Sequence, residues 1–356
     1  MARREKQAEA EAEQGNKAAR EEPEPYPGAD RAPQEQNDAV PETEPEDPAA
    51  GSAHAGQKRK DAPTTSSKSE PDTKAPRRGS RTSPRNADHP ASPQQLLNFL
   101  LSPSALPYCF PADELENAQK PKESKSYSLT SPSSFTPFEH LLCAHMLSKP
   151  LSHTLGMRSI RTLLNEPFSL NTPEAIISAG EKGVWEALEA ARTQHRQKTA
   201  SYLFRTAELY RESETMFKLA EKANEGGSHG VIEHIKSSVP GLAVTGGEIF
   251  CRRIQCVDGW RDALWPFADS KAMDAMRTIG VSVDDAEQLR TVLGHETDWD
   301  KVGDMGLQER NSNKAQLVQE PGEAQVQLAF VVALERALGC VLEGKVAELQ
   351  EAAAAA

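Results

Sequence analysis

The sequence predicts an all-α domain that follows a long disordered N-terminal tail. Three observations carry this prediction. Helix-start signals of the type Ser/Thr-Pro recur from Ser92 onward, and apolar residues at helical spacing follow them. No segment sustains the period-two alternation of polar and apolar residues that half-buried strands show. Residues 1–90 contain a single aromatic residue, Tyr26, and almost no branched aliphatic residues.

Residues 1–90 have the composition of a disordered tail. They cannot bury enough apolar surface to offset the entropy of ordering the chain. Residues 1–50 contain 6 Lys/Arg against 14 Asp/Glu, whereas residues 51–90 contain 9 against 4. Basic clusters in the second half suit nuclear import receptors, although such runs also arise by chance in solvated tails. These clusters are Lys58-Arg59-Lys60 and Arg77-Arg78 with Arg81 and Arg85. They predict a nuclear protein.

The segment 91–134 is predicted to hold one short helix and a polar linker. Ser92 is placed to cap the helix, Pro93 occupies its first position, and Gln95 completes a capping box. The polar run KPKESKSYSLTSPSS then separates this helix from the main body.

Residues 135–350 are predicted to form the main helical domain. Thr136 followed by Pro137 and Glu139 is a second capping-box signal, and Thr172-Pro173 is a further helix start.

Later helices in this domain are predicted from charge, glycine and apolar patterns. The charged run 196–222 is expected to be a helix that ends at Gly226-Gly227. Apolar residues from Val326 to Val346 indicate a long final helix, whose alanine-rich end is expected to fray.

Bulk properties narrow the class of protein. The formal net charge is −12 and no apolar run reaches 18 residues, so we expect neither a membrane span nor a membrane partner. The N-terminus lacks the apolar stretch of a secretory signal. The five cysteines show no metal-ligand spacing and are interpreted as buried reduced thiols. The sequence therefore predicts neither a metal site nor a cofactor.

The most specific functional signal lies in residues 231–281. A short helix, VIEHIKSS, leads through a tight turn into a second helix, VTGGEIFCRRIQ, so that a hairpin occupies about residues 231–256. A connection containing WRDALWPF follows, and Asp269 then opens the segment DSKAMDAMRTIGV. The residues of the turn and the start of the second helix are Val239, Pro240, Gly241, Leu242, Ala243, Thr245 and Gly246.

These segments resemble the helix-hairpin-helix family of DNA glycosylases, which includes endonuclease III. The hairpin of that family reads approximately L-P-G-V-G-x-x-T-A, and its later segment reads approximately V-D-T-H-V-x-R-V-x-x-R-L-G-L. Asp269 falls on the aspartate of the second motif, and Ala272, Ala275, Ile279, Gly280 and Val281 lie in the matching frame. The resemblance covers about residues 135–290 and implies a two-lobed helical bundle.

The resemblance implies that DNA is the partner and that Asp269 is catalytic. The hairpin would present backbone N–H groups to a DNA phosphate, and the damaged base would be rotated out of the stack. The carboxylate would then stabilise positive charge on the sugar or orient the attacking water. Thr245 stands where bifunctional members hold a Schiff-base lysine, which implies a monofunctional N-glycosylase of base-excision DNA repair. Only Cys340 remains where the family carries an iron–sulfur cluster, so no such cofactor is expected.

Departures from the family pattern keep other functions open. Ala243 replaces the second hairpin glycine, and residues 91–356 contain 26 Lys/Arg against 35 Asp/Glu, so DNA binding would need a local basic patch. The alternatives are a catalytically silent helical scaffold that binds a protein partner, and a chromatin adaptor that makes its contacts through the tail. Asp269 also has a simpler interpretation as a helix N-cap.

Candidate basic contacts to DNA lie close to these motifs, although a solvated helix face is an equal alternative for them. The first group is Arg252, Arg253 and Lys271, and the second is Arg261, Arg192, Arg196 and Lys198.

Overall fold

The structure, a computed structural model, describes residues 90–119, 124–308 and 322–356. These residues form helices and connecting loops without a strand, and the one β-type contact among them is an isolated parallel bridge between Thr130 and Gln308. The predicted all-α class is confirmed for this part of the chain. The tail, with its basic clusters Lys58-Arg59-Lys60 and Arg77-Arg78, lies outside the described residues.

Fifteen α-helices occur in the described ranges, together with two short 3₁₀ turns at Pro103–Ala105 and Pro132–Ser134. The helices are α1 (Pro93–Leu101), α2 (Leu106–Cys109), α3 (Ala112–Ala118), α4 (Pro137–Leu147), α5 (His153–Leu164), α6 (Pro173–Ala190), α7 (Arg196–Leu209), α8 (Ser213–Ser238), α9 (Val244–Ile254), α10 (Arg261–Leu264), α11 (Ser270–Ile279), α12 (Ala286–Glu296), α13 (Trp299–Val302), α14 (Glu323–Glu343) and α15 (Val346–Ala355).

The three predicted helix starts are confirmed by their caps. The hydroxyl of Ser92 accepts a hydrogen bond from the backbone N–H of Gln95 at 3.2 Å. The side-chain oxygen of Gln95 accepts one from the backbone N–H of Ser92, which completes the capping box of α1. The same reciprocal pair joins Thr136 and Glu139 at α4. Thr172 caps α6. In each case the cap satisfies N–H groups that the first helical turn leaves free.

The charged run 196–222 does not form the single helix that the sequence predicts. It is divided between α7 and α8 by a break at residues 210–212. The glycine pair also does not end the helix: α8 continues to Ser238 through a kink at Gly227, whose φ is +58°. A glycine can take this conformation at low cost, so the helix bends there and resumes.

The end of the chain also differs from the prediction. Gly344, in the left-handed region with φ +69°, divides the predicted final helix into α14 and α15. The alanine-rich end is helical to Ala355 and not frayed. Leu349 and Ala353 are buried in the hydrophobic core, and this packing holds the last turns in place.

The predicted polar linker is buried over residues 125–132, within the part of it that the structure describes. Its polar side chains pair with residues of neighbouring helices: the hydroxyl of Ser126 donates to Glu114 of α3 at 2.8 Å, and the Lys125 ammonium lies 2.6 Å from the Glu139 carboxylate of α4. Tyr127 is only 3% exposed. Because buried polar groups are tolerated when they are paired, a segment with the composition of a linker serves here as part of the core.

Helix α14 is a core helix. Among the described residues it is the one helix long and apolar enough to cross a membrane by length and composition, and 67% of its most apolar stretch is buried in the fold. Its buried Arg336 donates to the carbonyl oxygens of Leu100, Leu101 and Ser102 at 2.7–2.9 Å, and to that of Met305. A cation at this position satisfies the C-terminal carbonyls of α1.

Helix packing places the 239–247 turn at one end of a helix pair. Helix α9 packs against α8 and α4, while α6 packs against α7. Helix α14 packs against α11, α12, α1 and α2. Gly247 marks the closest approach of α8 and α9, because a Cβ there would lie 3.0 Å from the Cα of Ile232.

Two buried histidines predict how stability depends on pH. Burial lowers the pKa of His145 to about 3, and it lowers the pKa of His140 well below its usual range, with help from Arg253. His145 shares a 3.0 Å hydrogen bond with Thr206. Both rings stay neutral in the folded state but gain a proton in the unfolded state below about pH 6.5. The stability that the two neutral histidines contribute is therefore fully present above about pH 6.5. It is lost as the pH is lowered.

We expect the free energy of unfolding to fall between about pH 6.5 and 5 by up to about 1.4 kcal/mol per pH unit for each histidine. Urea unfolding of the whole chain measures this slope. His145→Gln should reduce it, whereas His195→Gln, at an exposed ring, should leave it unchanged. An unchanged slope in His145→Gln would contradict the assignment.

Candidate functional site

The turn between α8 and α9 is a short, tightly held reversal. The N–H of Val239 donates to Ile235 at 2.9 Å, and the N–H of Leu242 donates to the carbonyl of Val239 at 3.2 Å. Val239 and Leu242 are buried, so their side chains anchor the turn from below. Gly241 and Ala243 are exposed. The turn therefore presents backbone to solvent on a base of buried aliphatic side chains.

Gly241 is required for two separate reasons. Its φ is +77°, in the left-handed region that residues with a Cβ rarely adopt. A Cβ at this position would also lie 2.2 Å from the Tyr202 ring of α7. The turn therefore packs directly against the Tyr202 ring. Any residue with a Cβ at position 241 would force the turn or the ring to move.

The N-terminus of α9 lacks a side-chain cap. Ala243 has the extended backbone of an N-cap residue, but its methyl group cannot accept a hydrogen bond. Its carbonyl accepts from Gly247 at 3.1 Å. The N–H groups of Val244, Thr245 and Gly246 donate to no acceptor within the described ranges. Val244 is exposed, Thr245 is half-buried and Gly246 is buried. The free donors nearest to solvent at this positive end of the helix form an arrangement that can bind an anion.

Two lysines flank this turn. The ammonium of Lys149 donates to the carbonyl of Gly241 at 2.7 Å and lies 5.0 Å from the centre of the Tyr202 ring. The ammonium of Lys198, in the first turn of α7, lies 5.6 Å from the same ring centre. Neither lysine has a carboxylate partner in the part of the chain that the structure describes. The exposed turn is therefore locally positive although the chain as a whole is acidic.

Asp269 is buried and fully engaged. It is 5% exposed, and one carboxylate oxygen accepts from the N–H of Ala272 at 3.2 Å, which caps α11. The other oxygen forms an ion pair with Arg252. Gln255 fixes the loop that leads into Asp269, because its side-chain amide accepts from the N–H of Phe267 at 2.7 Å and donates to its carbonyl at 2.8 Å.

The ion pair belongs to a larger buried network. Arg252 also donates to Glu335 of α14 at 2.8 Å, and Glu335 accepts from the hydroxyl of Tyr127. Burial alone would raise the pKa of Glu335, but Arg252 and then Arg253 outweigh it and hold this pKa below its usual range. Both carboxylates of the network are therefore paired with Arg252 of α9. Arg252 joins two elements that lie far apart in the sequence.

The proposed DNA contacts Arg252 and Arg253 are wrong, because both side chains belong to the core. Each is 2% exposed. Arg253 lies over the Tyr127 ring at 3.6 Å and donates to the Tyr127 carbonyl at 3.2 Å. An amphipathic helix pattern does not distinguish a solvated arginine from one that pairs with distant acids.

The other predicted basic residues lie nearer the surface. Lys271 is exposed in the first turn of α11. Arg192 is exposed, and Arg196 lies 5.7 Å from the centre of the Trp185 ring. Arg261 pairs with Asp258 at 3.2 Å. Among the basic residues predicted from the sequence, Lys198 lies over the Tyr202 ring that supports the turn.

Several residues of the site carry no recognisable signal in the sequence. Lys149 follows α4 and Tyr202 lies within a charged run, so neither belongs to a motif. A positive-φ glycine in a turn indicates that another group packs close to the backbone there, but it does not identify the residue to which that group belongs. Glu335 is not predicted because its partner Arg252 lies 83 positions away. Tyr127 is not predicted because its partners Arg253 and Glu335 lie 126 and 208 positions away.

No group of three or more His, Cys, Asp or Glu side chains in the described ranges could hold a metal ion. All five cysteines are buried and free, as their composition and spacing predicted.

Comparison with known proteins gives no match: no family model, no curated protein and no solved structure is similar to this chain.

Proposed function

We propose that this chain is a DNA-binding protein of helix-hairpin-helix glycosylase type that holds the sugar–phosphate backbone through the 239–247 turn and does not excise bases. The sequence frame of the hairpin and of Asp269–Val281 supports the family architecture. Helix α9 packs against α4 and α8, and α14 packs against α11 and α1. In this proposal the chain has no catalytic activity and its partner is DNA.

One observation carries the DNA-binding proposal: the N-terminus of α9 has no side-chain cap and reaches solvent at Ala243 and Val244. The N–H groups of Val244, Thr245 and Gly246 need acceptors, and a phosphate oxygen at a helix N-terminus supplies them. Phosphate contacts of this kind fix the position of a protein on DNA without reading its sequence. Nearby Lys149 and Lys198 offset the acidic charge of the domain where the backbone would pass.

The absence of excision is inferred from the state of Asp269. A catalytic carboxylate must reach the sugar of a flipped nucleotide, but this one is 5% exposed and divided between Ala272 and Arg252. With a guanidinium beside it and no open face, it cannot stabilise a cation that develops on a substrate. Thr245 also supplies no amine for covalent catalysis.

The substitution Ala243→Asp separates DNA binding from stability. Ala243 has the extended backbone of an N-cap, so an aspartate there should cap α9 and stabilise the fold by about 1 kcal/mol. The same carboxylate would occupy the phosphate position, and like charges facing each other across an interface cost several kcal/mol. We expect duplex affinity of the full chain to fall at least about tenfold while the melting temperature rises.

Gly322→Asp is the charge-matched control. It adds the same charge at the N-terminus of α14, another helix without a side-chain cap, and should leave the affinity nearly unchanged. Equal losses in both variants would mean that net charge alone controls binding. Failure of the unaltered chain to bind duplex DNA at low salt would refute the proposal.

Excision is tested on the same preparation. The full chain is incubated with duplexes that carry uracil, an alkylated purine or oxidised guanine, and abasic sites are scored after alkali treatment. We expect none above background. Excision that Asp269→Asn abolishes would show that the carboxylate is catalytic and that its pairing with Arg252 opens on DNA.

A further inference from the structure

Two ammonium groups share one aromatic ring beside the turn. Lys149 and Lys198 lie 5.0 and 5.6 Å from the centre of the Tyr202 ring, and this ring is also the surface against which Gly241 is fitted. The two lysines come from different elements: Lys149 follows α4, and Lys198 lies in the first turn of α7. Their meeting point is therefore set by the tertiary fold.

The charges of this pair are uncompensated within the described residues. Burial lowers the pKa of Lys149, and the neighbouring Lys198 lowers it further. The carbonyl of Gly241 accepts one hydrogen bond from Lys149 but brings no formal charge. Other lysines in the described part of the chain, such as Lys182 and Lys218, pair with a glutamate one helical turn away. Two adjacent cations without an anion form a surface that a phosphate would complete.

We propose that Lys149 and Lys198 form a second phosphate-binding position, next to the N-terminus of α9, and that the two positions together bind consecutive phosphates of one nucleic-acid strand. This inference rests on the proposed function and deepens it. Gly241, which receives the Lys149 bond, is only two residues before Ala243. Two Cα–Cα steps span at most about 7.6 Å, so the positions are close enough for one backbone to reach both.

This arrangement distinguishes a polyanionic backbone from a single phosphate. A mononucleotide or inorganic phosphate would satisfy one position and leave the other empty, whereas a DNA strand fills both. Each lysine that neutralises a phosphate releases condensed counterions, so it should appear in the salt dependence of binding. A lysine that only supports the turn would change affinity without changing that dependence.

The test measures the affinity of the full chain for duplex DNA between about 50 and 200 mM salt. Lys149→Gln and Lys198→Gln should each reduce the slope of log K against log [salt], and the double variant, which loses this one phosphate contact, should reduce it by about 0.9. The corresponding arginine variants should retain the original slope. Lys182→Gln on α6, which removes an exposed lysine paired with Glu186, is the matched control and should also retain it. Inorganic phosphate should compete only weakly with the duplex.

The outcomes separate this inference from the proposed function. If the unaltered chain fails to bind duplex DNA, the proposed function and this inference both fail. If the chain binds and Ala243→Asp weakens binding, but both glutamine variants keep the full salt slope, the hairpin contact stands and the lysine position is refuted. The lysine position is also refuted if inorganic phosphate competes as strongly as an equal charge concentration of DNA.

Discussion

Replacement of Asp269 by alanine is expected to destabilise the folded protein by about 3–5 kcal/mol. Removal of one partner of a buried ion pair leaves the other charge uncompensated in the core, and such losses are of this size. Arg252, 2% exposed, would retain only Glu335 as a partner. Helix α11 would lose its cap at the same time. Most small domains have only about 5–15 kcal/mol to lose, so the effect should be visible as a large fall in the melting temperature.

Denaturant unfolding of the full chain measures this effect, and Asp285→Ala is its matched control. Asp285 caps α12 through the N–H of Gln288 at 2.8 Å and has no arginine partner in the described part of the chain. Its loss should cost only the cap, about 1 kcal/mol. Asp269→Asn should fall between the two alanine variants, because an amide oxygen can still cap the helix but cannot neutralise Arg252. Equal costs for both alanine variants would mean that the ion pair contributes nothing.

Replacement of Gly241 by alanine is expected to damage both the turn and its binding surface. The left-handed backbone costs a residue with a Cβ about 1–2 kcal/mol. The Cβ would also lie 2.2 Å from the Tyr202 ring, and overpacking of this kind costs about 1–3 kcal/mol more. Relief of that contact must move the turn or the ring. We therefore expect a total loss of stability of about 2–5 kcal/mol and weaker binding to every duplex sequence alike.

Gly259→Ala separates strain from collision. Gly259 has φ +84°, but nothing lies within 4 Å of the position that its Cβ would take. It should therefore show the strain cost alone and leave DNA binding unchanged. Tyr202→Ala should restore part of the stability of Gly241→Ala, because it removes the ring that the new methyl group meets. If Gly241→Ala and Gly259→Ala are equally destabilised, the fit against Tyr202 has no energetic role.

The sequence predicted local structure well because local chemistry determines it. Ser92, Thr136 and Thr172 cap their helices through hydrogen bonds to residues three positions away, and such bonds are encoded in a short stretch of chain. The position of Asp269 in front of a helix was visible for the same reason. The burial of Asp269 in an ion-pair network was not visible in the sequence, because Arg252 and Glu335 come close to it only through the tertiary fold.

The same limit explains the errors in the candidate site. Arginines on a helix are usually exposed, so the sequence favours Arg252 and Arg253 as DNA contacts, whereas the fold buries them against distant acids and aromatic rings. Lys149 carried no signal, since its role depends on Gly241, which lies 92 positions further along the chain. Residues 124–131 were predicted to be a linker because the sequence does not show that Glu114 and Glu139, on neighbouring helices, pair with Ser126 and Lys125.

Arg252 forms ion pairs with both Asp269 and Glu335, and this restricts which substitutions the protein can accumulate. A single substitution of Arg252 that released Asp269 for chemistry would also leave Glu335, which is buried on another helix, without its arginine partner. An intermediate with two unpaired acids in the core would lose much of the stability that a domain possesses. A lineage could therefore gain excision chemistry at this position only through paired changes, with Glu335 lost before or together with Arg252. Strong epistasis between positions 252 and 335 should be measurable in a double-substitution library selected for folding.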